Sequence, residues 1–87
     1  MSTLTLEHEP LAIDVSVDDN TLRVSLDDGR ELSVPVAWFP RLRDASAVDR
    51  NDWRLIGHGE GIHWEALDED ISILGLLAGN RRQSRAA

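Results

Sequence analysis

Regular patterning begins at position 11. Leu11, Ile13, Val15 and Val17 alternate with Ala12, Asp14 and Ser16, the period of two that gives a strand one dry and one wet face. Asp18, Asp19 and Asn20 supply turn chemistry, and Leu22, Val24 and Leu26 then alternate with Arg23, Ser25 and Asp27 as a second strand. Asp28-Gly29 predicts a two-residue hairpin with a type I′ turn, which needs positive φ at both central positions. Leu32, Val34 and Val36 continue the alternation as a third strand, which Pro35 ends or leaves as an unpaired edge.

The period changes between positions 37 and 52. Phe39-Pro40 opens a short helix with the proline at its first position, and Leu42 and Ala45 fall on one side of it. Ser46 followed by Asp49 reads as a capping box, so two short helical turns, or one kinked helix, are expected here. Trp53 to Ile56 forms a fourth strand and Ile62 to Trp64 a fifth, joined by Gly57-His58-Gly59-Glu60-Gly61. Ser72 caps a last helix whose stripe is Ile73, Leu76 and Leu77, and Gly79 stops it. The fold class expected is α+β, a small antiparallel sheet of about five strands packed against two or three short helices. Residues 1–10 read as a flexible N-terminal arm, 11–79 as a single α+β domain and 80–87 as a disordered tail containing arginines.

With 87 residues there is room for one small core and no cleft between lobes. Sixteen acidic residues face nine basic ones, all of them arginine, for a net charge of −7. Arg81, Arg82 and Arg85 sit at the end, so residues 1–80 carry six arginines against all sixteen acids, a balance of −10. That field opposes phosphate backbones and anionic lipid and favours a basic protein partner. Cysteine is absent, which excludes a disulfide framework, a Cys-type metal site and a thiol nucleophile. No run approaches the roughly 18 apolar residues of a membrane span, and the first ten residues lack a signal-peptide pattern, so the expected location is cytoplasmic.

Candidate chemistry concentrates between His58 and Asp70. His58, His63, Glu65 and Asp70 are the residue types a divalent metal takes, and they are the candidate metal ligands. Nothing in their spacing forces them to converge, the HExxH order is absent, and a calcium-loop reading from Asp68 fails at Ile73 and Gly79. The expectation is therefore no native metal and no cofactor. Gly57, Gly59 and Gly61 lead into a strand, with no lysine nearby, so they do not make a phosphate cradle. No serine stands in a nucleophile elbow, and catalytic residues are not expected. Trp38, Phe39, Arg41 and Arg43, like Arg50, Trp53 and Arg54, interleave aromatic and basic groups, but Asp44, Asp49 and Asp52 are interspersed among them.

Three tryptophans are many for so small a core. Trp64 alternates with Ile62 and is placed inside, whereas Trp38, at a strand-to-helix junction, is the candidate exposed anchor. Together with Arg41, Glu65, Asp68 and Glu69 it makes up the expected partner-binding set.

Leu22-Arg23-Val24-Ser25-Leu26-Asp27-Asp28-Gly29-Arg30, Trp38-Phe39-Pro40-Arg41-Leu42 and, above all, the run from Gly59-Glu60-Gly61-Ile62-His63-Trp64 to Leu67-Asp68-Glu69-Asp70-Ile71-Ser72 resemble the bacterial domain-of-unknown-function family numbered 2442. The resemblance spans positions 11 to 79. It implies a small α+β domain, in some members followed by a helix-turn-helix module that is missing here, and it carries over no catalytic residue. Family members often occur beside another small protein in an arrangement like a toxin–antitoxin pair, which implies that this acidic protein neutralises a basic partner. The expected function is thus a small acidic, non-enzymatic protein-interaction domain. The alternatives are a regulatory domain contacting nucleic acid through its tail and a metal-dependent enzyme. A homodimer formed through an edge strand or the N-terminal arm is also compatible with the pattern.

Overall fold

A computed structural model of the chain describes residues 9–79; the expected N-terminal arm, apart from Glu9 and Pro10, and the arginine tail lie outside them. Strands β1 (Ala12–Val17), β2 (Thr21–Leu26) and β3 (Glu31–Pro35) pair in that order as one antiparallel sheet. A 3-10 turn (Val36–Trp38) leads into helices α1 (Pro40–Arg43) and α2 (Ala47–Arg50). Strands β4 (Trp53–Ile56), β5 (Gly61–Trp64) and β6 (Glu69–Ser72) form a second antiparallel sheet in that order, and helix α3 (Ile73–Leu77) follows without a break. The α+β class and three short helices are as expected, but there are two three-stranded sheets in place of one sheet of about five strands. The added strand is β6. Its sequence, Glu-Asp-Ile-Ser, reads as an acidic approach to a helix, and cross-strand pairing to β5 makes it extended.

Local chemistry accounts for most boundaries. Asp18 folds back so that its Oδ1 accepts from Asn20 N and Thr21 N, both at 2.7 Å, which closes the turn between β1 and β2. Those backbone bonds, and then Arg23, hold its carboxyl below the usual carboxylate range. Ser72 Oγ accepts from Gly75 N at 2.8 Å, the expected cap, and Ser46 Oγ accepts from Asp49 N at 3.1 Å, the hydroxyl half of the expected capping box without the reciprocal carboxylate bond. Gly79, at φ +81, terminates α3.

Two strand details depart from the sequence pattern. Positive φ among the described non-glycine residues occurs only at Asp68, so Asp28 is not in the geometry a type I′ turn requires. Gly29 N instead donates to Leu26 O at 3.1 Å and Leu26 N to Arg30 O at 2.8 Å, a three-residue loop with Gly29 at φ +95. In β1 the pairing register shifts between Ala12 and Asp14, which turns Ala12 inward at 2% exposed and leaves Ile13 outward at 60%. The inward Ala12 gives its N–H to Gly59 O at 2.8 Å and so joins the first sheet to the loop between β4 and β5.

One apolar core draws on both sheets and the segments around them. Leu22, Val24 and Leu26 meet Ile62, Trp64 and Ile71, with Phe39, Leu42, Ile73 and Leu76 closing the sides. Trp64 is fully buried, as expected, and its Nε1 donates to Arg50 O at 2.9 Å. Arg50 is itself 7% exposed. Its Nε donates to Leu42 O at 2.9 Å, Nη2 to Arg43 O at 2.8 Å and Nη1 to Asp19 Oδ1 at 2.6 Å. One guanidinium thus ties α2 to the end of α1 and to the turn between β1 and β2. No helix among the described residues is long and apolar enough to cross a membrane.

Candidate functional site

Strand alternation divides the second sheet into two faces. Ile62, Trp64, Glu69 and Ile71 turn inward, whereas Gly61, His63, Asp70 and Ser72 turn outward beside Arg54 and Ile56. Register sets these outward residues in two cross-strand rows, Ile56–Gly61–Ser72 and Arg54–His63–Asp70. Polar chemistry lies on the second row and an apolar groove on the first.

In the polar row, His63 Nδ1 is hydrogen-bonded to Asp70 Oδ1, and Nε2 lies 3.0 Å from Glu65 Oε1. Arg54 Nη2 approaches the same Glu65 oxygen at 3.6 Å. The bond to Asp70 raises the imidazole pKa from its ordinary value; burial opposes the rise, and Glu65 adds to it. Both ring nitrogens of His63 thus face a carboxylate oxygen. The acids approach from opposite edges of the ring, so His63, Glu65 and Asp70 do not share one coordination centre. His58, the fourth candidate ligand, is exposed on the loop between β4 and β5, where its backbone N–H binds Glu60 Oε1 at 2.8 Å. Among the described residues no group of three or more such side chains is placed to hold a metal ion.

The groove runs over Gly61 and encloses about 240 Å³, lined by Ile56, Glu60, Gly61, Asp70, Ile71 and Ser72. Gly61 is itself buried: a Cβ there would lie 3.1 Å from Ile71 O and 3.3 Å from Ile56 Cδ1, so the missing side chain lets Ile56 close over the strand. Ile56 is 38% exposed and forms one wall. The sequence pattern puts Gly61 in the connection between the fourth and fifth strands; its place between Ile56 and Ser72 follows only from the register.

The expected partner-binding residues separate. Trp38 is half-buried and packs against the core, with its ring edge-on to Phe39 at 6.5 Å and 62°, so it is less exposed than an anchor was expected to be. Arg41 Nη1 donates to Asp68 O at 2.6 Å and reaches Leu67 O at 3.4 Å, which binds α1 to the turn before β6. Asp68 occupies that turn at φ +52 and is exposed, as is Glu65 beside His63. Glu69 is 1% exposed, contrary to a surface role: it pairs with Trp64 in register and so falls on the inward face of β6. Arg50, which the sequence pattern left among the aromatic-basic clusters, has a structural place.

The remaining arginines are engaged in the same way. Arg23 pairs with Asp18 at 3.2 Å, Arg30 with Asp28 at 2.8 Å and Arg43 with Asp44 at 2.9 Å. With Arg41, Arg50 and Arg54 already placed, every arginine of the described residues meets a carboxylate or a carbonyl of its own chain. The side-chain carboxylates of Asp14, Glu31, Asp52 and Asp68 belong to exposed residues and pair with no arginine side chain among the described residues.

Comparison with known proteins identifies relatives of the same kind. The sequence profile of the family described as "Protein of unknown function (DUF2442)" matches residues 12–82. A crystal structure of a protein of unknown function from Rhodospirillum rubrum is similar at 32% identity and a TM-score of 0.76, over 87% of this chain and 94% of that one. A solution NMR structure of an uncharacterised protein from Chromobacterium violaceum shares the fold at 24% identity and a TM-score of 0.71, over 84% of this chain and 69% of that one. No curated protein matches the sequence.

Proposed function

Because the chain belongs to the DUF2442 family, we propose from its charge and geometry that it is a non-enzymatic interaction domain which docks a basic protein, in the manner of an antitoxin that neutralises its partner. The observation that carries this reading is the engagement of all six described arginines within the chain while exposed carboxylates stay without an arginine. Exposed ion pairs contribute little to stability, but they cancel the positive potential locally. What a partner meets at long range is the surplus of acids. The same inventory disfavours a nucleic-acid role for the described residues, since their cations are already held by their own carboxylates and carbonyls. A metal-dependent reaction finds no support in His63, whose ring nitrogens both face carboxylates.

The test is co-expression with the product of the adjacent gene, followed by size-exclusion chromatography at low and high salt. A stable complex at about 50 mM salt that weakens severalfold by about 500 mM supports electrostatic docking. A complex indifferent to salt, or a partner of acidic charge, overturns the reading.

A further inference from the structure

We infer that Arg30 protects the Asp28–Gly29 peptide from rearranging to isoaspartate, which makes the loop between β2 and β3 a latent site of covalent modification; the inference is independent of the docking proposal. The chain contains one Asp-Gly pair and no Asn-Gly pair. In such a pair the amide nitrogen of the glycine can attack the carboxyl carbon of the preceding side chain. A bond forms from Gly29 N to Asp28 Cγ, and one carboxyl oxygen leaves as water, taking the amide proton and the carboxyl proton. Water then opens the five-membered succinimide so formed. Cleavage at Cγ restores aspartate, whereas cleavage at the main-chain carbonyl routes the backbone through Cβ and Cγ, with no net change in atoms.

Three observations bear on how fast this happens. Asp28 and Gly29 are exposed, and nothing lies within 4 Å of the Cβ position at Gly29, so packing does not block ring closure. Protection has to come from bonding. Arg30 holds both carboxyl oxygens of Asp28: Oδ1 accepts from Arg30 N at 3.0 Å and Oδ2 from Nε at 2.9 Å, with Nη2 at 2.8 Å from the same oxygen. The guanidinium, and then the backbone N–H, hold the carboxyl below the usual carboxylate range, in the ionised form that cannot expel an oxygen as water. The attacking nitrogen is committed as well, since Gly29 N donates to Leu26 O at 3.1 Å and ring closure has to give that bond up. Rearrangement would add one atom to the main chain inside a loop that closes through Leu26 N to Arg30 O at 2.8 Å, and loop length sets the register of β2 on β3.

The experiment ages the purified full chain at mildly acidic pH and body temperature and measures isoaspartate by enzymatic methyl transfer, with the position fixed by mass spectrometry of the peptide that contains Asp28. Wild type in concentrated urea sets the unprotected rate, and the folded wild type is expected to fall well below it. Arg30→Ala keeps the backbone N–H for Oδ1 and loses the guanidinium. It is expected to accumulate isoaspartate about two- to fivefold faster than folded wild type, the span by which one exposed ion pair shifts an equilibrium. Salt at about 1 M should speed the wild type and leave Arg30→Ala unchanged. Equal rates in wild type and Arg30→Ala overturn the role of Arg30. A folded wild type as fast as the urea-unfolded chain overturns protection altogether, and isoaspartate that maps away from Asp28 overturns the site. Should Arg30→Ala fail to fold, the wild type's response to salt decides alone: acceleration supports the ion pair, and indifference overturns it.

Discussion

Arg50→Met isolates what one buried guanidinium contributes to tying α2 to the end of α1 and to the turn between β1 and β2. Methionine keeps much of the volume and removes the charge, so no unpaired buried cation is left behind. The bonds to Leu42 O and Arg43 O are lost. Leu42 O keeps its bond from Ala45 N at 3.2 Å, so it is weakened more than orphaned. Each hydrogen bond from a charged donor contributes about 1.5–3 kcal/mol, and recovery of the guanidinium's desolvation offsets part of the two. The third bond reaches Asp19, whose side chain is 89% exposed, and adds less than about 1 kcal/mol. A net loss of about 2–3 kcal/mol follows. With a urea m-value near 1 kcal/mol per molar for a domain of this size, the midpoint should fall by about 2–3 M at unchanged slope. Urea unfolding followed by tryptophan fluorescence reads this directly. Arg50→Lys should lose a comparable amount, since a single ammonium cannot reproduce a fork across three acceptors. Asp19→Asn should cost under about 1 kcal/mol. If Arg50→Met behaves like Asp19→Asn, the carbonyl contacts add nothing and the argument for the arginine as a tie is wrong.

Other consequences can be checked in parallel. His63 has a folded-state pKa raised above its ordinary value of 6.5, so its contribution is complete below that value and fades as pH rises through the folded pKa; urea midpoints of wild type and His63→Gln should converge above that window, and a constant gap from pH 5 to 9 would contradict the pairing. Asp70→Asn should bring the imidazole pKa down, visible in the ring-proton NMR titration. Gly59→Ala places a Cβ against the Ala12 carbonyl oxygen at φ +110, whereas Gly29→Ala meets only backbone strain at φ +95 in open space; the first should cost more than about 3 kcal/mol and the second about 1–2 kcal/mol, read as midpoint shifts. Ser72→Ala removes the acceptor for Gly75 N and should cost about 1 kcal/mol, with a similar loss for Ser46→Ala.

What the sequence displays of this fold is what depends on neighbours along the chain. Alternation marks five strands, Ser46 and Ser72 announce their helices, Pro40 opens α1 and Gly79 closes α3, because each acts through bonds a few residues away. Pairing between distant segments is invisible to that reading. Ala12 and Ile13 exchange faces because Ala12 must reach Gly59, 47 positions on. Glu69 turns inward because it stands across from Trp64, and nothing in Asp-Glu-Asp distinguishes its middle member.

The same limit separates the candidate ligands as they lie along the chain from their places in the fold. Composition gathers His58, His63, Glu65 and Asp70 into one stretch, whereas register sends His58 to the loop and sets carboxylates on opposite edges of His63. A cluster of ligand types becomes a row in which His63 stands between two carboxylates on opposite edges of its ring. Gly61 carries no chemistry to notice, yet its missing side chain, placed between Ile56 and Ser72, lets Ile56 close over the strand. If the acidic surface draws a basic partner in, removing an exposed acid such as Asp52 should slow association and leave dissociation nearly unchanged. Stopped-flow measurement of Asp52→Asn beside wild type reads both rates; an effect on dissociation alone would show that the surplus charge does not steer the encounter.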